Sequence, residues 1–167
     1  ACEYEYYQKN FINKEAYRDE LEEYYPVMFR SMLEIIEMSA ELYVAMIQRF
    51  YNDLNEINHA FYPDHPAGKI QSIDGKMADT HRNGQSVQKL LLDNGEVLIY
   101  KPHSVNNEVI YMQMMQWIYQ KCKTDCPDYR IIGKEDYGWC QFVEYKTCTK
   151  RKELEDYYRK LGMNLFT

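Results

Sequence analysis

Between Pro26 and Pro63 the chain contains neither glycine nor proline. That uninterrupted run constrains the fold more than any other feature. Within it Phe29, Leu33, Ile36, Ala40, Tyr43, Ile47, Phe50, Leu54 and Ile57 recur at alternating steps of four and three. The spacing predicts one continuous apolar stripe along a single long helix. At about 1.5 Å per residue, a helix of roughly 30 residues is ~45 Å long, more than a small domain needs for itself. A shorter helical stretch over 11–24 is expected before it. The stripe reads either as a docking or coiled-coil face or as ordinary core packing, and core packing is preferred because a heptad also packs against a globular partner. Pro63-Asp64-His65-Pro66-Ala67-Gly68 ends the helix. The expected organisation is therefore a helical annex over 1–62 and a second domain over 63–167.

Composition narrows the classes. The 167 residues suit one ordinary domain. With 20 basic and 26 acidic side chains, the formal charge of −6 argues against nonspecific nucleic-acid or membrane-surface binding. No apolar stretch approaches the ~18 residues that span a bilayer. The opening Ala-Cys-Glu-Tyr-Glu-Tyr-Tyr lacks the basic and apolar regions of a signal peptide. The five cysteines, Cys2, Cys122, Cys126, Cys140 and Cys148, complete no zinc pattern and read as reduced thiols of a cytoplasmic protein. The 17 tyrosines read as amphipathic wall residues.

Beyond residue 63 the pattern becomes strand-like. Two apolar, β-branched-rich runs, 87–92 and 96–100, flank Asp93-Asn94-Gly95, a turn whose Asn and Gly tolerate positive φ. A helix over about 104–121 follows, with Ser104 as N-cap and Val105, Val109, Met112, Met115 or Gln116, and Ile118 to Tyr119 near one face. A second hairpin is expected from 129–132 and 139–144, then a helix over 153–161. The class is α+β: an antiparallel sheet with an inserted helix, behind a long-helix N-terminal annex.

The chemistry concentrates in Asp79-Thr-His-Arg-Asn-Gly-Gln-Ser-Val87 and Ile99-Tyr-Lys-Pro102. Strand parity places Lys101 on one face with Val97 and Ile99. An ammonium there either snorkels to the sheet edge, which spacing alone favours, or meets a negatively charged ligand, since burying it alone is costly. A glycine-bearing loop, a hairpin and a lysine form the layout that lays a loop over nucleotide phosphates. Against the protein-kinase signature there is one glycine, Gly84, and the following helix offers only Glu108, which comes too soon to be the lysine's partner. Asp79 and His81 are two apart, so in extended chain they point the same way, an arrangement suited to proton transfer or phosphate binding and equally to a solvated loop pair.

The run Asp79-Thr80-His81-Arg82-Asn83-Gly84-Gln85-Ser86-Val87, the Gly95 turn and Tyr100-Lys101-Pro102 resemble the N-terminal dehydratase domain of bacterial class II lanthipeptide synthetases. Tyr137-Gly138-Trp139-Cys140-Gln141-Phe142-Val143 and Tyr157-Tyr158-Arg159-Lys160-Leu161-Gly162 are similar to later pieces of that family. Together they cover roughly residues 70–167. Three departures stand out: Ala78 for the family's frequent Gly, His103 for Arg, and Gln141 for Glu.

The resemblance implies a kinase N-lobe-like sheet belonging to an enzyme that phosphorylates Ser and Thr of a precursor peptide with ATP and Mg²⁺. The enzyme then eliminates phosphate to give dehydroamino acids. Carried over by position, Lys101 holds nucleotide phosphates, Gly84 lies in the loop over them, and Ile99 packs on adenine. Asp79 and His81 serve the phosphorylation or elimination centre. The family's Asp-x-His-x-x-Asn loop, its Asp-x-Glu element and its zinc cyclase do not occur before Thr167. The expectation is a fragment that lacks its catalytic C-lobe, holds no cofactor tightly and does not dehydrate peptide alone. Its partners would be the precursor peptide and that C-lobe. The rival reading is a non-catalytic helical interaction module in which Lys101 is structural. A third reading, a lobe of a small-molecule kinase, shares the layout.

Overall fold

The computed structural model describes residues 3–9, 15–75, 85–123 and 128–165. In chain order the elements are α1 (Glu3–Tyr7), α2 (Glu15–Tyr24), α3 (Pro26–Asn52), α4 (Leu54–Phe61), β1 (Ile70–Asp74), β2 (Gln88–Leu92), β3 (Val97–Lys101), α5 (Asn106–Cys122), β4 (Ile131–Gly133), β5 (Gly138–Gln141) and α6 (Arg151–Leu165). The class is α+β, as expected. Contacts group the chain into two compact units, one of Ala1–Ala45 with Thr80–Gln85 and one of Met46–Asp79 with Ser86–Thr167.

The first unit carries α1, α2 and most of α3. Its part of the expected apolar stripe is not a core face: Leu33 and Ile36 are 46% and 61% exposed. Burial begins only in the second unit, at Met46, Phe50 and Ile57. The expected single helix is also interrupted. Asp53 leaves helical geometry with ψ near 3° and separates α3 from α4, although Ile57 N–H still donates to its carbonyl at 2.9 Å. No proline or glycine is needed for this joint, because the Asp53 carboxylate is engaged by the sheet below it.

The sheet is antiparallel with order β1-β2-β3-β5-β4. β2 and β3 form the expected hairpin, closed by Gly95 at φ 86° with its N–H on the Leu92 carbonyl at 2.9 Å. Strand β1 was not foreseen from sequence. Its register shifts between Ile70 and Ser72, and a bulge destroys the period-two alternation by which a strand is recognised.

Alternation along the strands gives the sheet two distinct faces. Leu90, Leu92, Leu98, Tyr100 and Trp139 are fully buried on one of them. They meet the last turns of α3 and α4: Phe50 packs edge-on to Trp139 with ring centroids 6.0 Å apart. The Arg49 guanidinium donates to Tyr100 Oη at 2.6 Å. On the opposite face Ile99, Cys140 and Val105 form a cluster with Val87, Val109, Tyr129, Ile131 and Phe142. Helix α5, inserted between β3 and β4, closes one side of that cluster through Val109.

Gly138 sits where α5 begins. A Cβ there would run into the Val105 side chain and come 3.0 Å from the Ile132 carbonyl oxygen, which is backbone and cannot yield. Gly138→Ala is therefore expected to destabilise by about 1–3 kcal/mol, read as a lowered urea midpoint. An unchanged midpoint would contradict this packing.

Candidate functional site

Lys101 is the last residue of β3, opposite Gly138 of β5. Pro102 to Val105 turn the chain sharply back, so α5 begins beside the strand it has just left. The N-cap is Val105 rather than the expected Ser104, and it makes no side-chain cap hydrogen bond; Ser104 Oγ, one residue earlier, only accepts from Asn106 N–H at a long 3.4 Å. The return brings the first turn of α5 against the end of β3, and Lys101 Nζ lies 3.1 Å from Glu108 Oε1.

The expectation that Glu108 comes too soon in sequence is therefore wrong. It assumed a partner midway along the helix, whereas the short return places the first turn within reach. The ammonium's partner is a carboxylate of the chain itself, which neither of the two fates considered for it had included.

The pair is shielded but not sealed, with side-chain exposures of 24% and 38%. Burial pushes the Glu108 carboxyl up. That effect is outweighed by its own backbone N–H, the Lys101 hydrogen bond and charge, and nearby His103, so the group lies below its ordinary value. The Glu108 carboxyl is thus ionised at neutral pH, and on acidification its side of the pair is lost as pH falls through the lowered Glu108 value. The ammonium has three N–H donors, and a single carboxylate oxygen leaves others for further oxygens.

The surface beside the pair is apolar. Ile99, expected to face a base, is 8% exposed and sits in one cluster with Val87 and Phe142. Cys140 is fully buried there; burial pushes its thiol up, against the opposing effects of Lys101 and a Tyr129 hydrogen bond. Burial also drives Tyr129 up to about 12, with Cys140 and Glu108 adding to it. At neutral pH these two groups are uncharged, and Lys101 with Glu108 supplies the charge beside them.

The connection from β1 to β2 runs from 75 to 87 and carries Asp79, His81 and Gly84. These three lie outside the described residues, as does Ala78. Its two ends are held in place: Gln88 Nε2 donates to Ser86 O at 3.0 Å and Ser86 Oγ at 2.8 Å, and Ser86 Oγ donates to Gly75 O at 3.3 Å. The glycine-bearing segment thus joins two neighbouring antiparallel strands rather than merely preceding a strand pair.

Gln141, the departure from Glu, has a plain structural role. Its side-chain oxygen accepts from Arg130 N–H at 3.2 Å and its own N–H donates to Arg130 O at 3.0 Å, extending the β4–β5 ladder. Sequence reading missed Lys89, Phe142 and Tyr129 as members of this surface. Lys89 could have been found by strand parity with Val87; Tyr129 and Phe142, expected inside the second hairpin, fall just outside β4 and β5 but keep the parity of Ile131 and Cys140.

Among the described residues no group of three or more His, Cys, Asp or Glu side chains is placed to hold a metal ion. No helix there is long and apolar enough to cross a membrane. Cys122, Cys140 and Cys148 are unbridged thiols.

Residues 25–167 match the model of a family described as a domain of unknown function, DUF4135. The chain is also similar to the lacticin 481/lactococcin biosynthesis protein LcnDR2 of Lactococcus lactis subsp. lactis, at 23% identity over 172 residues. That alignment covers 97% of this chain and 18% of the relative's length.

Proposed function

The chain belongs to the family described as a domain of unknown function, DUF4135, and on that premise we propose that it is the kinase N-lobe-like part of a class II lanthipeptide synthetase dehydratase. The motif resemblance and the lantibiotic-biosynthesis name of the relative point the same way. The observation that carries the reading is the Lys101–Glu108 pair, bridging the third strand and the helix that follows it. A lysine on that strand paired with a glutamate on the next helix is the arrangement protein kinases use to hold ATP phosphates.

The neighbouring surface suits a nucleotide. Lys101 would hold phosphate oxygens with the donors Glu108 does not occupy. Val87 and Ile99 would pack on the base, and the Gly84 connection would cover the phosphates. Bound ATP with Mg²⁺ supplies a phosphoryl group, which turns a Ser or Thr hydroxyl of the precursor peptide into a leaving group. Hydroxide departs poorly from an alkyl carbon, whereas phosphate departs readily once a base takes the α-proton. Asp79 and His81 are proposed for that phosphorylation or elimination centre. The Mg²⁺ ligands and the catalytic C-lobe belong to the remainder of a longer cytoplasmic enzyme.

The test is coexpression of the intact synthetase with its precursor peptide, read by mass spectrometry. Losses of water at Ser and Thr, with phosphorylated intermediates, are expected. A peptide recovered unmodified would overturn the reading. The rival, a helical interaction module, draws on the exposed Leu33 and Ile36 of α3. It expects modification to be indifferent to Lys101.

A further inference from the structure

Lys89 presents an ammonium on the same sheet face as Ile99, its register partner across β2 and β3. It is half-buried, and its Nζ lies 4.4 Å from the centroid of the Phe142 ring. Among the described residues it has no ion pair and no hydrogen bond to an oxygen. A cation is attracted to a ring face but spends none of its N–H donors there; across β1 its register partner is Asp74, with which it forms no ion pair.

Register fixes which end of the surface this is. Val87 adjoins the glycine-bearing connection, and Lys101 ends β3 on that side. Lys89 is two residues further along β2, level with Ile99 and Cys140. It therefore lies roughly 7 Å further from the phosphate end than Val87, beside the residue that would pack on the base.

Resting on the nucleotide reading above, we infer that Lys89 is a base-recognition residue, donating from its seat over Phe142 to acceptor atoms on a purine ring edge. Adenine presents N7 on that edge and guanine presents N7 with O6, so an ammonium that only donates serves both, and guanine better. The site is thereby a purine nucleotide site tolerant of guanine, with Phe142 holding the ammonium ready when the site is empty.

The experiment measures binding of ATP, GTP and inorganic tripolyphosphate to the intact synthetase and to Lys89→Met, Lys89→Arg and Lys101→Met. Lys89→Met is expected to weaken ATP about tenfold and GTP more, leaving tripolyphosphate unchanged, while Lys89→Arg keeps most of the affinity. Lys101→Met weakens all three. Equal loss of tripolyphosphate in Lys89→Met would make Lys89 a phosphate ligand and overturn the inference, as would unchanged nucleotide affinity. If Lys101→Met weakens ATP and tripolyphosphate but Lys89→Met weakens neither, the nucleotide reading stands and only the base role falls. If the unaltered enzyme binds neither nucleotide nor tripolyphosphate, both fall. Matching thermal melts of the variants show that each comparison is between folded proteins.

Discussion

Lys101→Met in the intact synthetase is expected to lower the rate of precursor phosphorylation by on the order of 10²–10³-fold with the fold retained. The asymmetry follows from where the pair sits. Both side chains reach solvent, so their mutual attraction contributes no more than about 1 kcal/mol to folding. Losing the ammonium therefore leaves the protein close to its original melting temperature. Toward a bound triphosphate the same ammonium would face several anionic oxygens at close range, where its charge counts for much more. Glu108→Gln keeps an acceptor but no charge, so a smaller loss of about tenfold is expected. Mass spectrometry of the coexpressed peptide reads both variants, and a melting curve controls for folding. Peptide modified by Lys101→Met at an undiminished rate would leave Lys101 a structural ion pair and favour the interaction-module reading.

The elements that were legible in sequence are those whose periodicity is local. The β2–β3 hairpin shows itself by Asp93-Asn94-Gly95, and α5 by its buried face of Val105, Met115 and Tyr119. What escaped was set by tertiary contact. The bulge in β1 hides its alternation. The joint between α3 and α4 carries no breaker residue, and the role of Glu108 depends on how tightly Pro102 to Val105 turn. Lys101 and Ile99 could be read as candidates by strand parity, but the carboxylate that faces the ammonium could not, because seven residues of sequence separation say nothing about a reversal of chain direction.

Asp53→Ala is expected to destabilise the second compact unit by about 3 kcal/mol, among the largest single effects available in this chain. The Asp53 carboxylate is 10% exposed and lies 3.2 Å from Lys134 Nζ. Its Oδ2 accepts from Tyr137 Oη at 2.8 Å and from Trp139 Nε1 at 2.8 Å. Alanine would strand the indole N–H of a fully buried tryptophan, which is costly, while Lys134 would keep its second carboxylate, Glu56. The same carboxylate joins the α3–α4 joint to the β4–β5 hairpin, beside Arg49, whose guanidinium lies 4.2 Å from the Tyr137 ring centroid. Its loss therefore loosens the strand that carries Cys140 and borders Lys101. At about 2–4 °C per kcal/mol for a chain of this size, the melting temperature should fall by roughly 10 °C. Asp53→Asn keeps one acceptor oxygen and should lose about half as much. Lys134→Met removes only the partner that also reaches Glu56 at 2.6 Å and should cost less than about 1 kcal/mol. An Asp53→Ala protein melting within about 2 °C of the original would mean that Trp139 and Tyr137 find other acceptors and that the joint is held by apolar packing alone.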